Sequence, residues 1–370
     1  MLVEEHAKLQ PEYDILCYIS PQQDLYHASN IYTGLCELEE QGAARVKFVV
    51  PQGAEEIYAS DSLTVCLSVR GPKTDRRDLL AIDLRDRSDL VTDRLLERSD
   101  IYLKRSYYEP DLLHLSSELK QKVIPFGLNY ACRTRQSTRC ILSVIARHMA
   151  IDLFHSPKRV VNQLNPRRSI LYQYLTTALA SDFEQEPESD LEPTILFQTR
   201  IYEPEEIYPD DPCEVNEERV ALVRALREAF GAKFIGGLVP TAYAKERYPD
   251  AVSDQPTRQS QYVALSKRSM IAIYTRGLCH SLAFKLPEYL AASKCIVSRE
   301  LRNQLPQPLV EGQHYLEFDT PEECVERCRN LLAQPELARH LRREAWRYYQ
   351  QEVKPVAHLS NCLNRISAYA

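Results

Sequence analysis

The stretch Met270-Ile-Ala-Ile-Tyr-Thr-Arg-Gly-Leu-Cys-His-Ser-Leu-Ala-Phe-Lys-Leu-Pro-Glu-Tyr-Leu-Ala-Ala-Ser-Lys-Cys-Ile-Val-Ser298 decides the fold, because it reads as buried strand, loop, helix and buried strand. Its opening, Met270 to Thr275, is short, apolar and rich in β-branched residues, as a strand covered by helices on both faces should be. A loop carrying Gly277, His280 and Ser281 follows, and the pattern predicts a helix from near Ala283. Such a helix start points unpaired N–H groups and a positive dipole end past the strand, which suits a diphosphate. Lys285 adds a full positive charge there. Glu288, one turn further in, offers only acceptors when ionised and can take both hydroxyls of a ribose diol; the plainer alternative is a solvated helical glutamate. Thr275 and Gly277 approach the same ligand by position, since open α/β sheets bind at the carboxyl ends of their strands.

The rest of the chain bounds this reading. A length of 370 residues accommodates two domains, each with its own core. Hydrophobic residues at 44% and charged residues at 26% exclude disordered, collagen-like and coiled-coil classes. A formal charge of −6 argues against general nucleic-acid binding, which needs a basic surface to replace counterions. No window approaches the roughly 20 apolar residues of a membrane span, and Met1-Leu-Val-Glu-Glu-His lacks the basic start and apolar core of a signal peptide. A cytoplasmic location is the expectation. Most of the eleven cysteines lie in apolar runs, among them Cys17, Cys66, Cys140 and Cys295, where free thiols act as small hydrophobes. Cys324 and Cys328 sit one helical turn apart, but His314 and His340 do not complete a zinc spacing, so no metal is expected.

Before the deciding stretch, strand candidates at Tyr13, Val46, Leu63, Leu79, Ile101 and Lys122 alternate with helical pieces, which favours a parallel, doubly wound sheet. An acidic, proline-flanked segment near Gln185 to Glu192 interrupts the pattern. The alternation restarts at Pro193, and Asn216 is placed to cap a helix from Glu217 to Phe230. The expected class is α/β, with two Rossmann-like, doubly wound domains facing a central cleft: 1–185, 192–352, and a terminal helix 353–370 crossing back to the first.

The order of elements from Glu192 onward, with Glu288 at its helix, resembles the donor half of glycosyltransferases of the two-domain GT-B fold, whose pocket glutamate holds the donor ribose. Many retaining members carry two glutamates eight positions apart; the first of these positions is His280 here. The resemblance implies transfer of a sugar from a nucleoside diphosphate sugar to a hydroxyl acceptor, with no cofactor beyond that substrate and no obligatory metal, because cations and N–H groups stabilise the leaving diphosphate. Arg200 stands where the family's diphosphate-binding arginine falls. The lysine that often follows is replaced by Pro204, Glu205 and Glu206, and Lys285 is the candidate substitute. Ser281 and His280 are placed to touch phosphate or donor sugar, and His280 to stabilise developing charge, against a plain loop-capping role.

An inverting reaction needs a base on the acceptor side, and Asp24, His27, Asp83 and Glu109 are the candidates, with Asp24 and His27 best placed after the first strand. Between Arg133 and Arg168 eight basic residues face the single acid Asp152 over an amphipathic pattern, so peripheral contact with anionic lipid through 133–168 is weighed against an ordinary solvated face. Family analogy alone suggests a surface polysaccharide or lipid-linked glycan as acceptor. Two rivals stand beside this reading. A nucleotide-sugar epimerase would need no acceptor, and a noncatalytic interaction module would turn over nothing.

Overall fold

The computed structural model describes residues 12–19, 23–72, 75–155, 170–203 and 212–369. Two sheets organise the chain. The first runs β2 (Ala44–Val49), β1 (Tyr13–Tyr18), β3 (Thr64–Arg70), β4 (Asp78–Asp83), β5 (Ile101–Lys104) and β6 (Val123–Pro125). The second runs β11 (Tyr315–Glu317), β10 (Cys295–Ser298), β9 (Ser269–Tyr274), β7 (Glu192–Thr199) and β8 (Phe234–Leu238). Every pairing in the second sheet is parallel, as its near-continuous apolar strands require.

The first sheet departs from the parallel expectation at one strand. β3 runs antiparallel to both β1 and β4. The connection 71–77 between β3 and β4 is too short for a helical crossover, which takes a dozen or more residues, so the chain must reverse there.

Each sheet has its own apolar core. Ile15, Leu67, Ile82 and Leu103 anchor the first, and Phe197, Val223, Ile273 and Val297 the second. The helix Pro355–Tyr369 inserts Leu359, Cys362, Leu363 and Ile366 into the first core beside α1 (Leu25–Glu40), so the end of the chain returns to its beginning. His358 Nε2 donates to Phe126 O at 2.9 Å at this return. Gly127, beside it, sits at φ +119°, and a Cβ there would lie 2.9 Å from the His358 ring, so glycine is demanded twice over.

Two helix starts differ from expectation for physical reasons. Asn216 does not cap; it lies inside the helix Pro212–Phe230, where its side chain accepts from Tyr202 N and donates to Tyr202 O, both at 2.8 Å. A two-way bond to a neighbouring loop satisfies the whole amide, which one cap bond would not. The helix expected near Ala283 starts at Lys285, and Leu278–His280 forms a separate 3-10 turn before it. Thr320 does cap its helix, in a reciprocal box with Glu323. Cys324 and Cys328 pack in the second core, where burial pushes the Cys328 thiol up.

Candidate active site at the seam between the two sheets

β7 and β9 are parallel neighbours, so the loops after Thr199 and Tyr274 leave the same edge of the sheet. Arg219, buried on the helix Pro212–Phe230, ties those loops together. Its Nη1 donates to Arg200 O at 2.6 Å, its Nη2 to Arg276 O at 2.8 Å, and its Nε to Thr275 Oγ1 at 3.4 Å. With Asn216 holding Tyr202 one turn earlier, the segment 200–202 is fixed from two points. The exposed Arg200 guanidinium stacks 4.6 Å from the Tyr202 ring centroid, a flat cation presented at the carboxyl edge of the sheet.

The loop after β9 is tightly wound. Cys279 and His280 both adopt φ 56°, a left-handed conformation uncommon for residues with a side chain. Gly277 N donates to Ser281 O at 3.0 Å, and a Cβ at 277 would collide with Ser281 Oγ, which accounts for glycine there at an ordinary φ. His280 Nε2 lies 3.5 Å from Arg276 Nη1. Of the amides expected to face a diphosphate, Ser281 N already donates to Leu278 O at 3.1 Å and Ala283 N to Tyr274 Oη at 2.7 Å. Two of the backbone donors of this loop are therefore already used.

Lys285 and Glu288, both half-buried, occupy one face of the pocket helix Lys285–Ala291. Lys285 Nζ donates to Gln198 O and sits 4.4 Å from the Tyr262 ring centroid. Burial pulls the Lys285 amine down to about 8 against the opposing pull of the Glu288 charge. Burial pushes the Glu288 carboxyl up to about 7, with Lys285 opposing it. Titratable pairs with such displaced values gather at functional sites, although structural networks also produce them.

From the other half, Asp24 caps α1, accepting from His27 N at 3.0 Å, and His27 Nδ1 lies 2.8 Å from Asp24 Oδ2. Burial pushes the Asp24 carboxyl up, but the hydrogen bond and charge of His27 outweigh it and hold the group below its ordinary value. The His27 ring lies 5.3 Å, and the Tyr26 ring 5.8 Å, from Phe284, the residue before Lys285. Asp24 and His27 thus face the pocket helix across the seam. Burial raises the Tyr26 phenol to about 12, and the Glu288 charge adds to that rise.

Two other acceptor-side candidates are engaged by neighbouring cations. Asp83 is fully buried and saturated: Lys104 Nζ at 3.1 Å, Tyr102 Oη at 2.9 Å and Arg85 Nη1 at 3.1 Å all reach it, so it is a structural charge. Glu109 pairs with Lys120 at 2.9 Å, and its backbone N donates to Gln304 Oε1 at 3.2 Å. Of the basic run, Arg135 and Arg139 are exposed on the helix Arg135–His155, while Lys158, Arg159, Arg167 and Arg168 lie outside the described residues. Among the described residues, no helix is long and apolar enough to cross a membrane.

Arg219 and Arg105 also reach the candidate site, without a signal in the sequence that pointed to them. Arg105, just past β5, crosses the seam: Nη2 donates to Leu282 O at 2.6 Å, and the guanidinium lies 4.9 Å from the Phe284 ring centroid. Neither has a local signature, since their hydrogen-bond partners stand between 19 and 177 positions away.

Residues 219–363 match the family model described as "Glycosyl transferase-like", well under half of the chain. The described fold is α/β, with one mixed sheet and one wholly parallel sheet, and the matched residues fall in the half that carries the parallel one. Among solved structures it is similar to a glycosyltransferase from Rickettsia africae ESF-5, at 12% identity and TM-score 0.43, covering 95% of this chain and 97% of that one. It is likewise similar to Anabaena Alr3699/HepE in complex with UDP-glucose, at 10% identity and TM-score 0.42, covering 96% and 100%. The UDP-GlcNAc 2-epimerase from Neisseria meningitidis, bound to UDP-GlcNAc, follows at 10% identity and TM-score 0.37, covering 96% and 99%. No curated protein matches the sequence.

Proposed function

We propose that this chain is a glycosyltransferase of the GT-B kind, moving a sugar from a nucleoside diphosphate sugar to a hydroxyl acceptor at the seam between its two sheets. One observation carries the reading. The half-buried Lys285 and Glu288 sit on the pocket helix at the carboxyl edge of β7 and β9, faced across the seam by the Asp24 and His27 pair. In this assignment Glu288 accepts the ribose hydroxyls, while Arg200 and Lys285 hold the diphosphate, with Thr275, Gly277 and Ser281 shaping the loop around it.

Charge builds on the diphosphate as the glycosidic bond breaks, and two fixed cations stabilise it without a metal in this scheme. His27 takes the acceptor proton through Nε2, with the Asp24 carboxylate 2.8 Å from Nδ1 on the other side of the ring keeping it oriented. His280 lies beside the donor position and contributes to charge stabilisation. A surface glycan or lipid-linked glycan is the proposed acceptor class, with the work done at a cytoplasmic face.

The test is release of nucleoside diphosphate from a panel of sugar nucleotides, with and without glycan acceptors, in EDTA. Acceptor-dependent release that survives the chelator is expected. Conversion of the sugar nucleotide with no acceptor requirement would instead indicate an epimerase.

A further inference from the structure

Four polar side chains at the seam are almost wholly buried and incompletely bonded. Arg105, Ser106, Asn129 and Asn303 are 4%, 0%, 2% and 3% exposed. Arg105 Nε, Ser106 Oγ, Asn129 Oδ1 and both amide atoms of Asn303 have no hydrogen-bond partner. Buried polar groups are otherwise nearly always paired, so a set left open at one place needs an explanation.

Their placement supplies one. Arg105 and Ser106 follow β5, and Asn129 follows β6, at the carboxyl edge of the first sheet. Asn303 comes from the loop after β10 in the second half, and Gln304 N donates to Tyr107 O at 2.8 Å, which joins the segment carrying Asn303 to the segment carrying Ser106. Asn129 Nδ2 donates to His27 O at 3.0 Å, linking the set to the proposed base. Arg105 and His27 both pack on Phe284.

The open valences select the ligand's chemistry. Arg105 Nε and Asn303 Nδ2 need acceptors, Asn129 Oδ1 and Asn303 Oδ1 need donors, and Ser106 Oγ can be either. A phosphate or carboxylate offers acceptors alone and would leave both amide oxygens unmet. A sugar ring presents hydroxyls that each donate and accept. We infer that Arg105, Ser106, Asn129 and Asn303 form a subsite for a neutral sugar ring of the acceptor, gripped from both halves of the molecule next to His27. The inference rests on the proposed transfer reaction and narrows its acceptor.

Because the four side chains are almost wholly buried, admitting the ring requires the two segments to part. Around it, Arg302 Nη2 contacts both carboxylate oxygens of Asp111 at 2.8 Å and stacks 4.1 Å from the Tyr108 ring centroid, a clasp between the same two segments.

The experiment titrates the full chain with the methyl glycosides of glucose, galactose, mannose and N-acetylglucosamine and with their 6-phosphates, followed by saturation-transfer NMR. The same titrations are run on Asn303→Leu and Ser106→Ala, with thermal midpoints recorded. At least one neutral glycoside should bind, weakening tenfold or more in Asn303→Leu and severalfold in Ser106→Ala, while both midpoints stay level or rise because an unmet polar group has been removed. Selective binding of the phosphates, or no glycoside binding, overturns the inference. So do unchanged affinities with lowered midpoints, the signature of atoms bonded to structural water. Should Asn303→Leu not fold, Ser106→Ala decides. A protein that binds the glycoside but no sugar nucleotide contradicts the transfer reading and leaves the subsite standing.

Discussion

The two sheets handle charge in opposite ways. In the first, Asp83 and Lys104 are fully buried and meet each other, with Tyr102 and Arg85 completing the set. In the second, Lys285 and Glu288 are half-buried on one short helix, and no ion-pair contact between them closes the set. A saturated network fixes a core, whereas an amine and a carboxylate that do not close on each other at a strand edge keep bonding capacity for a ligand. The comparison teaches that burial of a charge does not mark a site; incomplete satisfaction beside a seam does.

Breaking the saturated network should give the largest effect. Asp83→Asn leaves Lys104 buried without its counter-ion and should cost about 3–5 kcal/mol in denaturant unfolding, with nucleotide affinity of the folded fraction unchanged. A loss of nucleotide affinity in the folded fraction would place Asp83 in the site and erase the contrast.

A second buried group sharpens it through pH. Burial holds the His358 imidazole down to about 4, against an unfolded value near 6.5. The unfolded chain therefore binds the extra proton between those values, and stability should fall by about 3 kcal/mol as pH drops from 6.5 to 4. His358→Gln should flatten this part of the stability curve, which urea unfolding across that range would record.

On the unsaturated side, Arg200→Ala should weaken nucleoside diphosphate binding about tenfold or more, worth about 1.4 kcal/mol, and nucleoside monophosphate binding less. Equal losses would move Arg200 away from the second phosphate. The smallest effect is the affinity profile with pH. Glu288 must be ionised to accept hydroxyls and Lys285 protonated to hold phosphate, so binding should decline below about 7 and above about 8. A flat profile from pH 6 to 9 would separate both groups from the ligand.

Much of the second half was legible because its chemistry is contiguous. Strand, loop and helix from Met270 to Ser298 follow one another, and Gly277, Lys285 and Glu288 stand within a dozen positions. Periodicity does not report hydrogen-bond partners, so Asn216 looked like a cap and the Ala283 amide looked unpaired. The antiparallel β3 was hidden because its residues have the same β-branched, apolar character in either direction. Arg105 and Asn303 are silent in sequence, since what distinguishes them is the far half of the chain closing over them.

The central claim is that Glu288 marks the donor pocket. Calorimetric titration of nucleoside diphosphates and their sugar conjugates into the intact protein and Glu288→Ala tests it most directly. The account predicts that one nucleotide binds the intact protein and binds the variant at least tenfold more weakly, with an unchanged thermal midpoint. Equal affinity in the two proteins would contradict it.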